Sequence, residues 1–526
     1  MSLKTLKNLL ICFSITAALT VAGCSKQAAK SNSKDQTLRM NFFATAISLH
    51  PHLVKVVAGA TASKALYEGL TRINLDKQIE LAAAEKVDIS PCKKIYTFTL
   101  RDAYWSNGEK VTSYHFADTW KMALNPEIGR CFHTNKFIII KNAKKVSKGE
   151  LPVSKLGIHA PDEKTFIVEL EHPVPYFLEL VADIPFSPVF DANYDEQTVF
   201  NGPFIIKSYE AEKFLSLVPN KFYWDRNSVK LDEIQISFIK DEQTAFSLYE
   251  NGDFDWVGSP YSDIPKEELE KISNIQNYYT TSPFWIFLNT KDPMLKSIKI
   301  RRALSYAVDR SEVVKGISLF QKELYSIIPN EISNLEESYY IDNFTVENAK
   351  KLFNEGLNEL GIKKEDFTFT LSHSNYPEHE SIAVYLKHRW EKVFGIKIPL
   401  RKYEWSSFIS KARNCDLSAF GFYLCNIIDD PSYLLEQFAD GGGYYSTWSN
   451  DAFKAMIEKS KNALNEIDRK ACLREAEKIL MDEMPICPIY VINNVFTCKK
   501  ELKNFYPPRK NSSDFKWAYF DYNDQK

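Results

Sequence analysis

The chain reads as an α/β or α+β protein of two or three domains, and three observations predict it. Strand-like and helix-like stretches alternate along the sequence without a short repeat. The 526 residues are 44% hydrophobic and 13% aromatic, enough for large cores, and single cores stop growing near about 250–300 residues. Beyond the N-terminal segment no apolar run reaches the roughly 20 residues that a membrane-spanning helix takes.

At the N-terminus, Lys4 and Lys7 precede the apolar run 9–21, and Val21-Ala22-Gly23-Cys24 then sets two small residues before a cysteine. This is the pattern of a signal peptide with a lipobox-like end; the alternative is an ordinary secretory signal with a chance cysteine. On the first reading the mature chain starts at Cys24, whose thiol carries diacylglycerol and whose amino group accepts a further acyl chain. Two or three chains hold a protein on a membrane where one does not. Residues 25–36, SKQAAKSNSKDQ, lack apolar bulk and read as a flexible tether.

The expected elements follow in order. Tyr96-Thr97-Phe98-Thr99-Leu100 has the composition of a strand, and 166–170 reads the same way. The wholly apolar 284–288 suits a strand covered on both faces. Ile300, Ala303, Leu304, Ala307 and Val308 share one helical face, with Arg301, Arg302, Asp309 and Arg310 expected on or near the other. Two longer helices are expected over 381–393 and 466–481, both rich in good helix formers.

A net charge of −2 with interspersed signs argues against nucleic acid, which needs a concentrated basic surface. Seven cysteines follow Cys24: Cys92, Cys131, Cys415, Cys425, Cys472, Cys487 and Cys498. Their wide, irregular spacing fits neither a disulfide scaffold nor a zinc site, so most are expected to be small buried hydrophobes and no cofactor is expected. Nucleophile elbow, phosphate-loop lysine and HExxH patterns are missing. Asp429-Asp430 and Glu336-Glu337 are paired carboxylates of the kind that usually sits on solvated loops. The chain therefore does not read as an enzyme. A secreted hydrolase or a surface interaction protein is the competing function.

Several colinear segments carry a resemblance. They are Ser48-Leu49-His50-Pro51-His52; Leu66-Tyr67-Glu68-Gly69-Leu70; Arg101-Asp102-Ala103-Tyr104-Trp105-Ser106-Asn107-Gly108 with Val111, Thr112 and Phe116; and Asn201-Gly202-Pro203-Phe204. Further on come Asn220-Lys221-Phe222-Tyr223-Trp224-Asp225, Ile300-Arg301-Arg302-Ala303-Leu304 with Asp309-Arg310, the run YSTWSN at 445–450, and 475–480 with Pro485 and Pro488-Ile489-Tyr490. In this order and over almost the whole mature chain they resemble the oligopeptide- and dipeptide-binding lipoproteins of ABC importers, solute-binding protein family 5.

The resemblance implies a two-lobed periplasmic-binding-protein fold, type II, with an additional inserted domain. Its divisions would be 1–23 signal peptide, 24–37 lipidated tether, 38–67 with 188–288 and 497–526 lobe I, 68–187 the inserted domain, and 289–496 lobe II. It implies a monomer at the periplasm or cell surface that encloses a peptide or peptide-like ligand between its lobes and hands it to importer permease subunits. A buried peptide needs its amides and termini satisfied, and pairing through backbone makes the binder tolerant of side chains.

Ligand-facing positions carry over one at a time. The family's glutamate three residues past the DPH motif corresponds to Lys55, and a tyrosine to Phe132. The histidine that can meet a ligand carboxylate corresponds to His379, the pocket tryptophan to Trp405, and an arginine to Arg413 or Lys411. The Gly-Trp-Cys-Ala run is matched by Gly421-Phe422-Tyr423-Leu424, and the amine-binding aspartate after it by Cys425, followed by Asn426. Two readings stay open: the ligand is blocked, modified or acidic at that end, for example a cell-wall peptide fragment, or Asp429 or Asp430 replaces the aspartate and ordinary peptides bind.

Overall fold

The computed structural model describes residues 35–523 apart from 44–46, 196, 317–319, 334–343, 425, 427, 440–444, 464 and 506–512. An 11-stranded sheet threads both lobes. From one edge it runs Leu400–Tyr403, Leu371–Ser374, Ala419–Tyr423, Gln276–Leu288, Ile486–Cys498, Trp256–Gly258, Thr37–Asn41, Glu233–Ser237, Phe214–Pro219 and Phe204–Glu210, with Lys322–Glu323 pairing Ile486–Cys498 off that path.

Two 13-residue strands, Gln276–Leu288 and Ile486–Cys498, make the crossing between lobes. At one end Trp256–Gly258 pairs with Ile486–Cys498; at the other Ala419–Tyr423 pairs with Gln276–Leu288. Their mutual register shifts between Tyr279 and Pro283, and again between Phe284 and Trp285. Pro283, opposite Val491, has no N–H to give the ladder. The buried hydroxyls Thr280, Thr281 and Ser282 fill this break, and Thr280 Oγ1 donates to the Ile492 carbonyl at 2.9 Å. Sequence reading placed a strand only over 284–288, because the polar residues before it carry no apolar signal.

The inserted domain is built on a four-stranded antiparallel sheet in the order Ala84–Ile89, Ile95–Leu100, Thr165–Glu169, Ile158–His159. The helix Ser113–Leu124 packs on it through Phe116 and Trp120, both 0% exposed. Phe98, Phe166, Phe177 and Phe186 complete an aromatic core of their own. Burying aromatics of this size supplies most of a small domain's cohesion. Trp105 to Gly108 forms the expected turn: Gly108, at φ +91°, donates its N–H to the Trp105 carbonyl.

The helix containing Ile300 spans Ile298–Tyr306, and its expected apolar residues Ile300, Ala303 and Leu304 are all 0% exposed. The arginines correct the expectation of a polar outer face. Arg301 is 2% exposed, and its guanidinium donates to the carbonyls of Leu295, Lys296, Glu483 and Met484. Arg310 is 1% exposed and donates to the carbonyls of Leu324, Ser305 and Val308. Both satisfy carbonyls left over at chain turns, which a buried backbone must otherwise leave unpaired. The long helices run Pro377–Phe394, closed by Gly395 at φ +66°, and Glu466–Glu483, capped by Asn465.

All six described cysteines are free thiols; Cys472, Cys487 and Cys498 are buried, Cys131 and Cys415 half-buried and Cys92 exposed. Lobe I is completed by both ends of the described chain. The Gln36 side chain donates to the Phe520 carbonyl and accepts from the Phe520 N–H, both at 2.9 Å and across 484 residues.

Candidate functional site

A cavity of about 620 Å³ lies where lobe I, the inserted domain and lobe II meet. Lobe I gives it Val54 and Lys55, the inserted domain Phe132, His133, Asn135 and Lys136, and lobe II the largest wall, from Trp405 to Tyr445. Of the nine sequence-derived ligand positions it gathers Lys55, Phe132, Trp405, Arg413, Phe422 and Tyr423.

Lobe II presents its wall through one helix and one strand end. Glu404 caps the helix Trp405–Arg413, accepting from the Ser406 and Ser407 amides. Phe408 and Ala412 bury one stripe of this helix, so Trp405, Ile409 and Arg413, spaced four residues apart, share the neighbouring stripe that lines the cavity. Arg413 sits in the last turn, where the helix dipole favours a cation. The strand Ala419–Tyr423 ends beside it. Phe422 is held among the rings of Trp405, Phe408 and Tyr445, with centroids 6.0, 6.4 and 5.0 Å away, and the more exposed Tyr423 stacks on it at 5.4 Å.

The opposite wall is a loop-to-loop junction. The Phe132 N–H donates to the His52 carbonyl at 2.9 Å, and His133 Nε2 bonds the Val54 carbonyl at 2.7 Å. Lys55 Nζ stands 3.9 Å from the Phe132 ring centroid. Beneath this junction His50 Nδ1 accepts from the His52 amide, so its Nε2–H is the donor to the Asn193 carbonyl. Burial pushes His50 and His133 down to about 4 and His52 to about 3, so all three are neutral at pH 7. Lys136 reaches Asp183 at 2.6 Å. Burial alone would raise the Asp183 carboxyl, but the ammonium outweighs it and holds the group below its ordinary range.

His379 stands one layer behind the cavity wall. It is 7% exposed, its Nδ1 bonds Ser374 Oγ at 2.9 Å, and its ring packs on Trp405 and Phe408. Burial pushes it down to about 4, which leaves it neutral at pH 7. Asn426 is 0% exposed and faces the crossing strands: its N–H donates to Ser282 Oγ and its Nδ2 to Thr281 Oγ1, each at 2.9 Å. Cys425 and Cys24 lie outside the described residues. Lys411 does not line the cavity, whereas Arg413 does.

The two alternative carboxylates are both engaged. Asp430 caps the helix Pro431–Leu435 and takes a 2.6 Å ion pair from the largely buried Arg469. Asp429 accepts from Thr281 Oγ1 at 3.1 Å. Among the described residues lining the cavity there are three cations, Lys55, Lys136 and Arg413, and no aspartate or glutamate. Sequence reasoning missed Val54, Asn135, Lys136, Ile409, Tyr433, Gln437 and Tyr445. Ile409 had a local signal in its spacing midway between Trp405 and Arg413, and Tyr445 in the run 445–450 that begins with it.

The wall is aromatic and cationic, shaped for something with apolar faces and negative or carbonyl oxygens. Comparison with known proteins agrees. The family model described as bacterial extracellular solute-binding proteins, family 5 middle, matches residues 78–446. The oligopeptide-binding protein OppA of Bacillus subtilis (strain 168) is 30% identical over 520 residues, covering 95% of this chain and 95% of the relative. The periplasmic murein peptide-binding protein MppA of Escherichia coli (strain K12) is 26% identical over 472 residues, covering 86% and 87%. Among solved structures, the substrate-binding domain of an oligopeptide ABC transporter from Bacillus anthracis str. Ames superposes with a TM-score of 0.77 at 26% identity, over 92% of this chain and 99% of that one. With two lobes, an inserted domain and this likeness along nearly its whole length, the chain belongs to family 5 of the bacterial extracellular solute-binding proteins.

Proposed function

We propose that this protein captures oligopeptides or peptide-like ligands in the interlobe cavity and delivers them to an ABC importer. The observation that carries the reading is the cavity itself. It lies where two lobes and an inserted domain meet and is walled by Phe132, Trp405, Phe422 and Tyr423 with Lys55 and Arg413 at its edges. Relatives bearing the names oligopeptide-binding, dipeptide-binding and murein peptide-binding protein support it. Family members are binding proteins, and among the described residues lining the cavity no nucleophile is paired with a base. We assign ligand contact to those six residues, support of Trp405 to His379, and anchoring of the crossing strands to Asn426. The lobes are assigned as 38–67 with 188–288 and 497–526, and 289–496, with 68–187 inserted in the first.

Of the two ligand readings, the one without a free N-terminal ammonium is favoured by a specific observation. Asp430 is bound to Arg469, Asp429 to Thr281, and the described lining carries no carboxylate. An unpaired ammonium brought into such a wall loses hydration and meets like charge. The N-terminal pattern ending at Cys24 supports a protein held by lipid outside the cytoplasmic membrane, and we assign it as a monomer.

Native mass spectrometry of gently purified protein tests the function. Peptide-sized masses released on denaturation are expected. Cleavage of an added peptide during prolonged incubation would overturn the binding-protein reading in favour of a hydrolase.

A further inference from the structure

A second cavity, also about 620 Å³, opens between the inserted domain and lobe II. Asn135, Lys136, Tyr433 and Gln437 line both cavities, so the two chambers adjoin at these four residues. Each has the volume of an ordinary ligand pocket, which runs to about 300–1,000 Å³. The side-chain amides of Asn135 and Gln437 stand at that shared boundary, where their remaining donors and acceptors can pair with peptide backbone, Gln437 Nε2 already donating to the Tyr433 carbonyl at 3.1 Å.

The second chamber has one distinctly cationic side. Lys144, Lys145 and Lys148 follow one another along the short helix Ala143–Ser147 and the residue after it. Facing them on lobe II, Glu458 and Glu436 already sit against Lys461, at 3.2 and 4.0 Å. Burial also pushes the Glu436 carboxyl up to about 7, so part of its charge is missing at neutral pH. Glu171 accepts the Asn142 amide at 2.7 Å, and the exposed Glu150, whose N–H donates to the Lys145 carbonyl at 2.9 Å, adds one acid beside the three lysines. Lys145 and Lys148 make no ion pair among the described residues, and both are exposed.

We propose that the ligand is an extended peptide or peptide-like chain whose acidic distal segment enters this second chamber, its carboxylates meeting Lys145 and Lys148. This rests on the peptide-capture reading and adds to it both a minimum length and a charge. Contacts with exposed lysines are individually weak, so two of them together give a preference of about tenfold.

Calorimetry on the mature chain tests it with four N-acetylated probes, which carry no terminal ammonium: trialanine, an octapeptide of six alanines ending in two glutamates, and the same octapeptide ending in two glutamines or in two lysines. The glutamate form is expected to bind about tenfold more tightly than the glutamine form. The double variant Lys145→Ala with Lys148→Ala is expected to abolish that preference, Lys145→Arg with Lys148→Arg to keep it, and Lys145→Glu with Lys148→Glu to reverse it toward an octapeptide ending in two lysines. Equal binding of the glutamate and glutamine octapeptides to the wild type, or a preference that survives in the alanine variant, overturns the second-chamber inference while peptide capture stands. Failure of all four N-acetylated probes to bind overturns the capture reading itself.

Discussion

Lys55 Nζ stands 3.9 Å from the centroid of the Phe132 ring, joining a lobe I loop to the inserted domain at the rim of the cavity. Both are cavity-lining residues, and Phe132 is 46% exposed, so its ring holds little of the fold together. Phe132→Ala is expected to lower ligand affinity by about 1 kcal/mol, from lost ring contact and the freed lysine, with little change in melting temperature. Calorimetry beside a thermal melt checks it; a large drop in stability with affinity intact would show the ring to be structural.

Arg301 makes the opposite case. Its buried guanidinium serves carbonyls from two chain segments, and burial lowers it only to about 10, so it stays charged at neutral pH. Arg301→Ala leaves those carbonyls unpaired and is expected to destabilise by about 3 to 5 kcal/mol. Arg301→Lys, with a single ammonium in place of a planar fork, should recover only part of that. Denaturant titration gives both values.

The pH dependence of stability follows from groups held away from their ordinary values. Glu477 and Glu436 are raised by burial to about 8 and about 7, so the folded chain takes their protons before the unfolded chain does, and stability rises as pH falls through those values toward 4.5. His50, His133, His172 and His379 are depressed to about 4 and His52 to about 3. These bind protons first in the unfolded chain, so their contribution is lost as pH falls from 6.5 to 4. Five such groups outweigh two carboxyls below 6.5. The melting temperature is expected to rise modestly from alkaline pH to about 6.5 and to fall below it. Glu477→Gln should flatten the alkaline limb; a limb unchanged in that variant refutes the assignment.

Position 425 tests ligand charge directly. Cys425→Asp introduces a carboxylate at a position proposed to face the ligand, and should improve binding of free-amine peptides by about 1 to 3 kcal/mol while weakening the native ligand. Unchanged affinities for both would indicate that an ordinary peptide amine is already served.

Cys24→Ala removes the thiol that would carry lipid. Cell fractionation is expected to find the variant in the soluble fraction with ligand affinity unaltered. Continued membrane association would show that the N-terminal pattern is not a lipidation signal.

Much of the fold was legible where side-chain pattern and local structure coincide. The strands at Ile95–Leu100 and Thr165–Glu169 and the helices Pro377–Phe394 and Glu466–Glu483 lie where composition placed them, within a few residues. The crossing strand was read short because Thr280, Thr281 and Ser282 are buried by the meeting of two lobes, which periodicity cannot express. Arg301 was misread for the same reason: a polar residue on a helix looks solvated until something packs over it. At the site, motif likeness located Trp405 and Phe422. Lys136, Tyr433 and Gln437 come from segments brought together only when the inserted domain meets lobe II.

The pair of hydrogen bonds between Gln36 and Phe520 has a consequence for how the chain is made. Lobe I draws on strands near the start, the middle and the end of the sequence, and its closing contact waits for residues synthesised 484 positions later. Contacts of such separation form slowly, because a long loop must close before they return any energy. A growing chain therefore cannot finish this lobe while its tail is still being made. Until residue 520 emerges that closing contact is missing, and an unfinished lobe is easier to thread than a closed one.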